Sequence, residues 1–240
     1  MARQPGNRPG LTSGRDALYR AEGDRTVGQG RRGIIWAVAV ACLTGAACGG
    51  AGAQVEAPAP VFARTVVLAP IGGKVLIEPP GSSAFARLTA RRSVPLGTTV
   101  DTTAGTVSLT SANPNPGSGP AQQTGRFFRG IFRIEQSRYA GGLVNLVIRD
   151  NLSRSTCGTG AARGAAVNPK VLGLLRGTAK GRFRTTGRFA AATVRGTDWG
   201  VQNRCDGTLT VVRSGVVAVS DFRLHKTVIV RAGQTYLAKG

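Results

Sequence analysis

The chain has 240 residues, enough for one or two domains, and it is 41% hydrophobic but only 5% aromatic, with 35 glycines. Its core must therefore come mainly from Val, Leu and Ala. The formal net charge of +21 favours anionic neighbours, although an Arg-, Ala- and Gly-rich bias is also typical of a GC-rich genome. A single histidine, His225, excludes a histidine-rich metal site, and we expect neither a metal nor a cofactor.

The first 53 residues predict export. Arg31 and Arg32 precede an apolar run over residues 34–47, and Ala51-Gly52-Ala53 offers the small-x-small pattern after which signal peptidase cleaves. The apolar run is shorter than the roughly 20 residues that span a bilayer, so an uncleaved signal is the one route to a membrane that we expect. We predict a secreted or cell-envelope-associated protein whose mature chain begins near Gln54.

Removal of residues 1–53 would leave a net charge of +17, from 25 basic and 8 acidic residues. It would also leave two of the four cysteines, Cys157 and Cys205. A zinc site would need more ligands than these two thiols and one histidine. An even pair in an oxidising compartment therefore predicts one disulfide bond.

Residues 54–63 predict a flexible Ala- and Pro-rich leader, and residues 64–240 predict one all-β domain. Its first strand-like runs lie at residues 65–68, 74–77, 85–88 and 106–110. Gly and Pro residues separate these runs, which favours strands joined by tight turns. Residues 113–120 alternate Pro with Gly and polar residues, so they predict an exposed loop.

Residues 125–135 interleave aromatic and basic side chains. Phe128, Phe132 and Ile134 share one strand parity, which predicts that they face the core. The arginines of this run, and of the Gly-Arg-Phe units that recur further along, are candidates for an anion-binding face: Arg126, Arg129, Arg133, Arg182, Arg184 and Arg188. Such surfaces also bind single-stranded nucleic acid, but we expect no nucleic-acid ligand for an exported protein. A phenylalanine row in the core with solvated arginines behind it is the favoured interpretation.

Residues 111–180 are predicted as an insertion between the two halves of the domain. Within it, residues 143–148 predict a strand, because they alternate around Val, Leu and Ile. Residues 151–166 are small and polar, which indicates a long loop held by the bridge at Cys157.

One short helix is predicted within the insertion. Asn168 is a suitable N-cap, Pro169 suits the first helical position, and Gly177 suits the end. The helix would cover residues 170–176, although Gly173 weakens it. We expect it to cover one end of the sheet.

Beyond residue 181 the sequence is typical of an antiparallel β meander. Strand-like runs cover residues 182–185, 191–199, 208–212, 216–219, 227–230 and 236–237. Asp206-Gly207 is a hairpin-type dipeptide, and glycines mark the turns that follow. Arg195-Gly196 has two interpretations: the arginine clamps an anionic ligand, or it is structural and the glycine permits a β-bulge. We favour the structural one.

The same region resembles the FecR-like domain. In that family a "VRGT plus aromatic" strand is followed by a strand that ends in a glycine hairpin and then by an Ala-Gly-Gln turn. The matching residues here are Val194, Arg195, Gly196, Thr197, Trp199, Gly215, Ala232 and Gly233. Residues 72–75 and 94–109 resemble the opening half of the family. The resemblance implies a domain that passes a periplasmic signal to a transmembrane partner.

Catalytic patterns are sparse in this sequence. His225 has no nucleophile motif around it, and no two acidic residues have a spacing that indicates a glycosidase pair. We therefore predict a non-catalytic, exported, FecR-like sensing or interaction module at the cell envelope. A polyanion-binding structural protein of the envelope is the alternative, and a hydrolase without a recognisable motif comes third. The expected partner is a protein or an anionic envelope polymer.

Overall fold

The computed structural model describes residues 57–114, 121–151, 157 and 170–240, apart from the Arg195 side chain. The predictions on the export signal, on most of the leader, on the tip of the Pro/Gly loop and on most of the loop at 151–166 lie outside these residues. All the described residues belong to one compact unit, Gly52–Gly240.

The described residues form a nearly all-β structure, which confirms the predicted fold class. The strands are β1 Thr65–Glu78, β2 Ala86–Arg87, β3 Arg92–Pro95, β4 Thr99–Ala112, β5 Gln122–Phe128, β6 Ile131–Gln136, β7 Val144–Arg149, β8 Val171–Thr186, β9 Ala190–Arg204, β10 Gly207–Ser214, β11 Val216–Asp221, β12 Lys226–Arg231 and β13 Thr235–Lys239. One 3-10 turn, Arg138–Ala140, is the helical element among them. The strands predicted beyond residue 181 are all present.

Five strands form a closed circuit of hydrogen bonds. β4 pairs with β5 and then with β6, β6 pairs with β7, β7 pairs in parallel with β8, and β8 returns to β5. β1 extends this circuit beyond β4, and β9 extends it beyond β8. β9 pairs with β11 along its first half and with β10 along its second, so the C-terminal strands branch from it. The sheet therefore has a barrel-like closure with extensions on both sides.

The core of the circuit is organised around Phe127. Its ring centroid lies 5.8 Å from that of Phe132, 5.6 Å from Phe183 and 6.1 Å from Trp199. All four side chains are fully or almost fully buried. A Cβ atom on Gly177 would lie 2.6 Å from the Phe127 ring, so this strand position has to be a glycine. Four aromatic rings thus form the centre of a core that otherwise consists mainly of Val, Leu, Ile and Ala side chains.

Phe127 faces the core, whereas the sequence pattern predicted that Phe128 would. The prediction treated residues 125–135 as one regular strand, but Arg129, with φ 66°, breaks the alternation between β5 and β6. The parity therefore changes there, so that Phe127 lies on the same side as Phe132 and Ile134. Phe128 is half-buried on the opposite face.

The predicted helix over residues 170–176 is wrong, because β8 covers this segment from Val171. The segment pairs with β9 and, at its end, with β5, and Leu172 and Leu175 are buried in the sheet. These pairings and the burial of two leucines outweigh a weak helix that contains Gly173. The region predicted as an insertion thus contributes β5, β6, β7 and most of β8 to the circuit.

The predicted disulfide between Cys157 and Cys205 is present, with the two Cα atoms 5.5 Å apart. It joins the segment before β8 to the turn between β9 and β10. Closing a loop of 48 residues stabilises the fold by about 4 kcal/mol on the chain-entropy model. The bridge indicates an oxidising setting. In the part of the chain that the structure describes, no helix has the length and hydrophobicity needed to cross a bilayer.

Candidate functional site

An open groove of about 580 Å³ crosses the outer face of β4, β5, β8, β9 and β10. Strand registers place five of its lining residues in one row across these strands: Ser108, Arg126, Thr178, Asp198 and Ser214. Most other lining side chains are small, since they belong to Gly, Ala and Thr residues. The opposite face of the same strands carries Phe127 and Trp199. The groove is therefore polar, with the aromatic core directly beneath it.

Three cations surround Thr178 on this face. Arg126 is the cross-strand partner of Thr178, and Arg176 and Lys180 lie two residues before and after it on β8. Residues two apart on a strand point to the same side, and directly opposite residues have Cβ atoms about 5 Å apart. Among the described residues, none of the three forms an ion pair. We call Arg126, Arg176 and Lys180 the cation cluster.

Arg176 is the most constrained member of the cation cluster. Its guanidinium carbon lies 5.5 Å from the centroid of the Phe128 ring, which is a cation–π geometry. Its Nη2 atom is buried and has no hydrogen-bond acceptor within the described part of the chain. A buried donor without an acceptor is costly, so this nitrogen would gain from an acceptor supplied by a ligand.

Among the residues that the structure describes, Asp198 is the one carboxylate that lines the groove. Its backbone N–H donates to the Ser214 hydroxyl at 3.2 Å, but its Oδ1 atom is buried and has no partner among the described residues. Burial raises the pKa of the Asp198 carboxyl. The carboxylate is therefore less stable in its charged form than an exposed one, and it carries less negative charge in mild acid.

The predicted anion-binding arginines divide into two groups. Four of them use their guanidinium groups within the protein: Arg133 on Glu135, Arg188 on Asp150, Arg182 on the Gly141 carbonyl, and Arg184 on Asn145. Arg129 is exposed at the break between β5 and β6. Arg126 is the member of the set that lines the groove.

Asn145 connects several of these groups into a network on β6, β7 and β8. Its amide nitrogen donates to Glu135 at 3.1 Å, and its carbonyl oxygen accepts from Arg184 at 3.2 Å and from the Thr186 hydroxyl at 2.6 Å. Glu135 also accepts from Arg133. We call these five residues the paired network. Each of its two arginines has a hydrogen-bond acceptor and Glu135 offsets one of their charges, in contrast to the cation cluster.

The residues that resemble the FecR-like motif meet where β9, β10 and β11 branch. Gly196 has φ +67°, and Val194 and Trp199 are buried. A Cβ atom on Gly215, with φ +78°, would lie 2.5 Å from the methyl group of Thr197. Ala232 and Gly233 donate backbone hydrogen bonds to Gly215 and Val212. The described parts of the motif hold this junction together.

Asp221 at the end of β11 is a second buried carboxylate. It accepts from the backbone N–H groups of Leu224 at 2.9 Å and Arg223 at 3.0 Å, and from the Tyr236 hydroxyl at 2.8 Å. The Leu224 N–H lowers the pKa of Asp221, and together with Tyr236, Arg223 and Lys226 it outweighs the effect of burial. Asp221 thereby fixes the turn that contains the exposed His225.

No protein-family model matches the chain, and no curated protein or solved structure matches it either. Membership of the FecR-like family therefore stays a prediction.

Sequence reasoning missed Arg176, Lys180 and Asp198. Arg176 and Lys180 were missed because the predicted helix ended at Gly177, which put the two residues in different elements. The alternation of Arg176, Thr178 and Lys180 with Leu175, Gly177 and Ala179 was a signal for a strand with one polar face. Nothing in the sequence indicates that Asp198 lies beside Thr178, because this proximity depends on the register of β8 with β9.

Proposed function

We propose that this chain is a non-catalytic, exported, FecR-like sensing or interaction module of the cell envelope, and that its ligand lies in the groove. The observation that carries the proposal is the polar groove across five strands, directly above a fully packed aromatic core. A rigid sheet with small side chains on its outer face is suited to holding an extended ligand without a large conformational change.

The ligand class that fits best is the anionic envelope polymer. The cation cluster lies in and beside the groove, and Asp198 is the only carboxylate that lines it in the described part of the chain. The mature chain would also carry a net charge of +17, which favours long-range attraction of an anionic ligand. This combination favours polymer binding over a neutral small molecule.

Blocking the groove tests its role. Thr178→Trp places a large side chain at an exposed position in the middle of the groove, without changing the charge. We expect binding of the mature protein to isolated native envelope, measured by co-sedimentation, to be lost. Thr227→Trp on β12 is the matched control, because Thr227 is also exposed on a strand but lies outside the groove. Equal binding by both variants would contradict the proposal.

Export has its own test. The disulfide suits an oxidising compartment, and the sequence predicts cleavage just before Gln54. We expect N-terminal sequencing to find the mature terminus at or near Gln54 in the extracellular or envelope fraction. Uncleaved protein with free thiols in the cytosol would refute export.

A further inference from the structure

We propose that the cation cluster, Arg126, Arg176 and Lys180, binds the phosphodiester groups of a linear polymer, with Thr178 at the centre of the site. This inference rests on the proposed function and deepens it, since it names the chemical class of the ligand. Phosphodiester groups also occur in lipid headgroups, and free phosphate shares their chemistry, so the experiment below separates these sources.

The charges of the site favour an anion. Arg126 and Lys180 are exposed in the groove, and Arg176 is half-buried beside it. In the described part of the chain the one acidic group that faces them is Asp198, on the far side of Thr178. Three neighbouring positive charges repel each other, so a bound anion removes repulsion in addition to forming its own contacts.

The number of hydrogen-bond donors favours phosphate over carboxylate. Two guanidinium groups, one ammonium group and the Thr178 hydroxyl converge from β5 and β8. Ser108 and Thr124 add two further hydroxyl groups on the same face of β4 and β5. A carboxylate has only two oxygens, whereas a phosphodiester has two non-bridging oxygens that share one negative charge and two bridging oxygens that also accept hydrogen bonds. Arginine forks also match the geometry of phosphate well.

Arg176 supplies an independent observation. Its buried Nη2 lacks an acceptor among the described residues. The group that packs against its guanidinium is the Phe128 ring, which is not a carboxylate. By contrast, Arg184 on the same strand donates to Asn145, and Arg133 of the paired network is bound to Glu135. A ligand oxygen at the groove end of Arg176 would satisfy this donor.

The length of the groove favours a polymer over a single phosphate group. The row from Ser108 to Ser214 crosses five strands, and strands lie about 4.8 Å apart, so the row is roughly 19 Å long. Hydroxyl groups stand at both ends of this row. A chain of alternating phosphates and polyols would place its charge near the cluster and its hydroxyl groups against these ends.

The experiment uses the mature, oxidised protein and four probes at constant ionic strength: poly(glycerol phosphate), a uronate polymer of matched charge density, inorganic phosphate, and phosphatidylglycerol vesicles. We expect the phosphate polymer to bind at least about ten times more tightly than the uronate polymer, since a single additional charge-assisted hydrogen bond is enough for a ten-fold difference. Equal affinity for the uronate polymer would overturn the assignment to phosphate. Binding to vesicles or to free phosphate without binding to the polymer would overturn the assignment to a polymer.

Charge reversals locate the site. Arg126→Glu and Lys180→Glu should each weaken binding of poly(glycerol phosphate) about ten-fold or more and reduce its salt dependence. Arg92→Glu is the matched control, because it makes the same change in net charge at an exposed position on β3, away from the groove. Losses no larger than that of the control would overturn the site. Arg176→Lys, with folding checked by thermal melting, should also weaken binding, since lysine keeps the charge but loses the fork.

The two proposals fail in different ways. If Thr178→Trp abolishes envelope binding while the charge reversals have no effect, the groove is the binding surface and the phosphate assignment is wrong. If neither class of variant changes binding, the groove is not the binding surface and both proposals are wrong.

Discussion

The groove and the turn after β11 each contain a carboxylate, half-buried Asp198 and buried Asp221, and the two carboxylates differ in their hydrogen bonding. Asp221 accepts three hydrogen bonds that favour its charged form, and its pKa is lowered. Asp198 has a buried oxygen without a partner among the described residues, and its pKa is raised. The same contrast separates Arg184, which binds Asn145, from Arg176 on the same strand. Asp221 and Arg184, outside the groove, thus have partners within the fold, whereas Asp198 and Arg176, in and beside the groove, each keep a buried atom without a partner among the described residues.

The first prediction tests whether the groove has a floor as firmly packed as the rest of the sheet. Phe127→Ala removes the ring that contacts Phe132, Phe183 and Trp199. We expect the free energy of unfolding to fall by about 3–5 kcal/mol, because a large cavity replaces a buried ring. Urea denaturation followed by tryptophan fluorescence measures the change. A loss below about 1 kcal/mol would mean that Phe127 does not organise the core.

The second prediction concerns the partnered carboxylate. Asp221→Ala should lower the free energy of unfolding by about 3 kcal/mol at neutral pH, since it removes a buried carboxylate and leaves three partly buried donors without an acceptor. The folded-state pKa is lower than the ordinary value of 3.8, so the contribution is present above that value and is lost as the pH falls through the lowered pKa. The difference from wild type should therefore shrink in strong acid. Tyr236→Phe removes one of the three bonds and should cost less.

The third prediction separates the paired network from ligand binding. Asn145→Ala removes the side chain that joins Glu135 to Arg184 and Thr186, and should destabilise the fold by about 1–2 kcal/mol. It should leave polymer binding unchanged, because Asn145 does not line the groove. Thermal melting and polymer affinity are measured on the same preparation. Reduced affinity with unchanged stability would contradict this division of roles.

The smallest expected effect on stability belongs to Asp198→Asn. The raised pKa means that the folded state holds this proton more tightly than the unfolded chain, so stability falls as the pH rises through the raised value. The amide should therefore be neutral or stabilising at pH 7, by less than about 1 kcal/mol.

The same substitution affects the pH dependence of binding. Affinity of the wild type for poly(glycerol phosphate) should increase as the pH falls through the raised Asp198 pKa, because a nearby negative charge is lost. In Asp198→Asn the affinity should be higher at neutral pH and independent of pH over that range. An identical pH profile in both proteins would show that Asp198 does not face the bound anion.

The sequence predicted the parts of the fold that local chemistry determines. Period-two alternation and turn dipeptides such as Asp206-Gly207 predict the C-terminal strands. The even pair of cysteines left after the predicted signal peptide predicts the disulfide. The prediction was wrong for residues 170–176, where a helix-start signal and a strand-like alternation occur in the same segment. The Asn168-Pro169 signal predicts a helix. The pairing of the segment with β9 and the burial of Leu172 and Leu175 stabilise a strand instead.

The groove was beyond sequence reasoning for a different reason. It depends on the pairing of Arg126 with Thr178 and of Thr178 with Asp198, which join strands that are distant in the chain. Six arginines looked equivalent in the sequence, and only their partners in the fold distinguish them. Arg126 was identified as a candidate, whereas the other two members of the cation cluster were not.

The position of the disulfide has a consequence for what a protease does to the protein. A single cut anywhere between Cys157 and Cys205 would leave two fragments that are still covalently joined by the bridge. After a cut before β8, the two fragments would also remain joined by the hydrogen bonds of β8 with β5 and β7. Such nicked protein would run as an intact chain on a non-reducing gel and as two bands after reduction. A cut between Cys157 and the start of β8 at Val171 would break none of the strands that line the groove, so the groove would stay assembled.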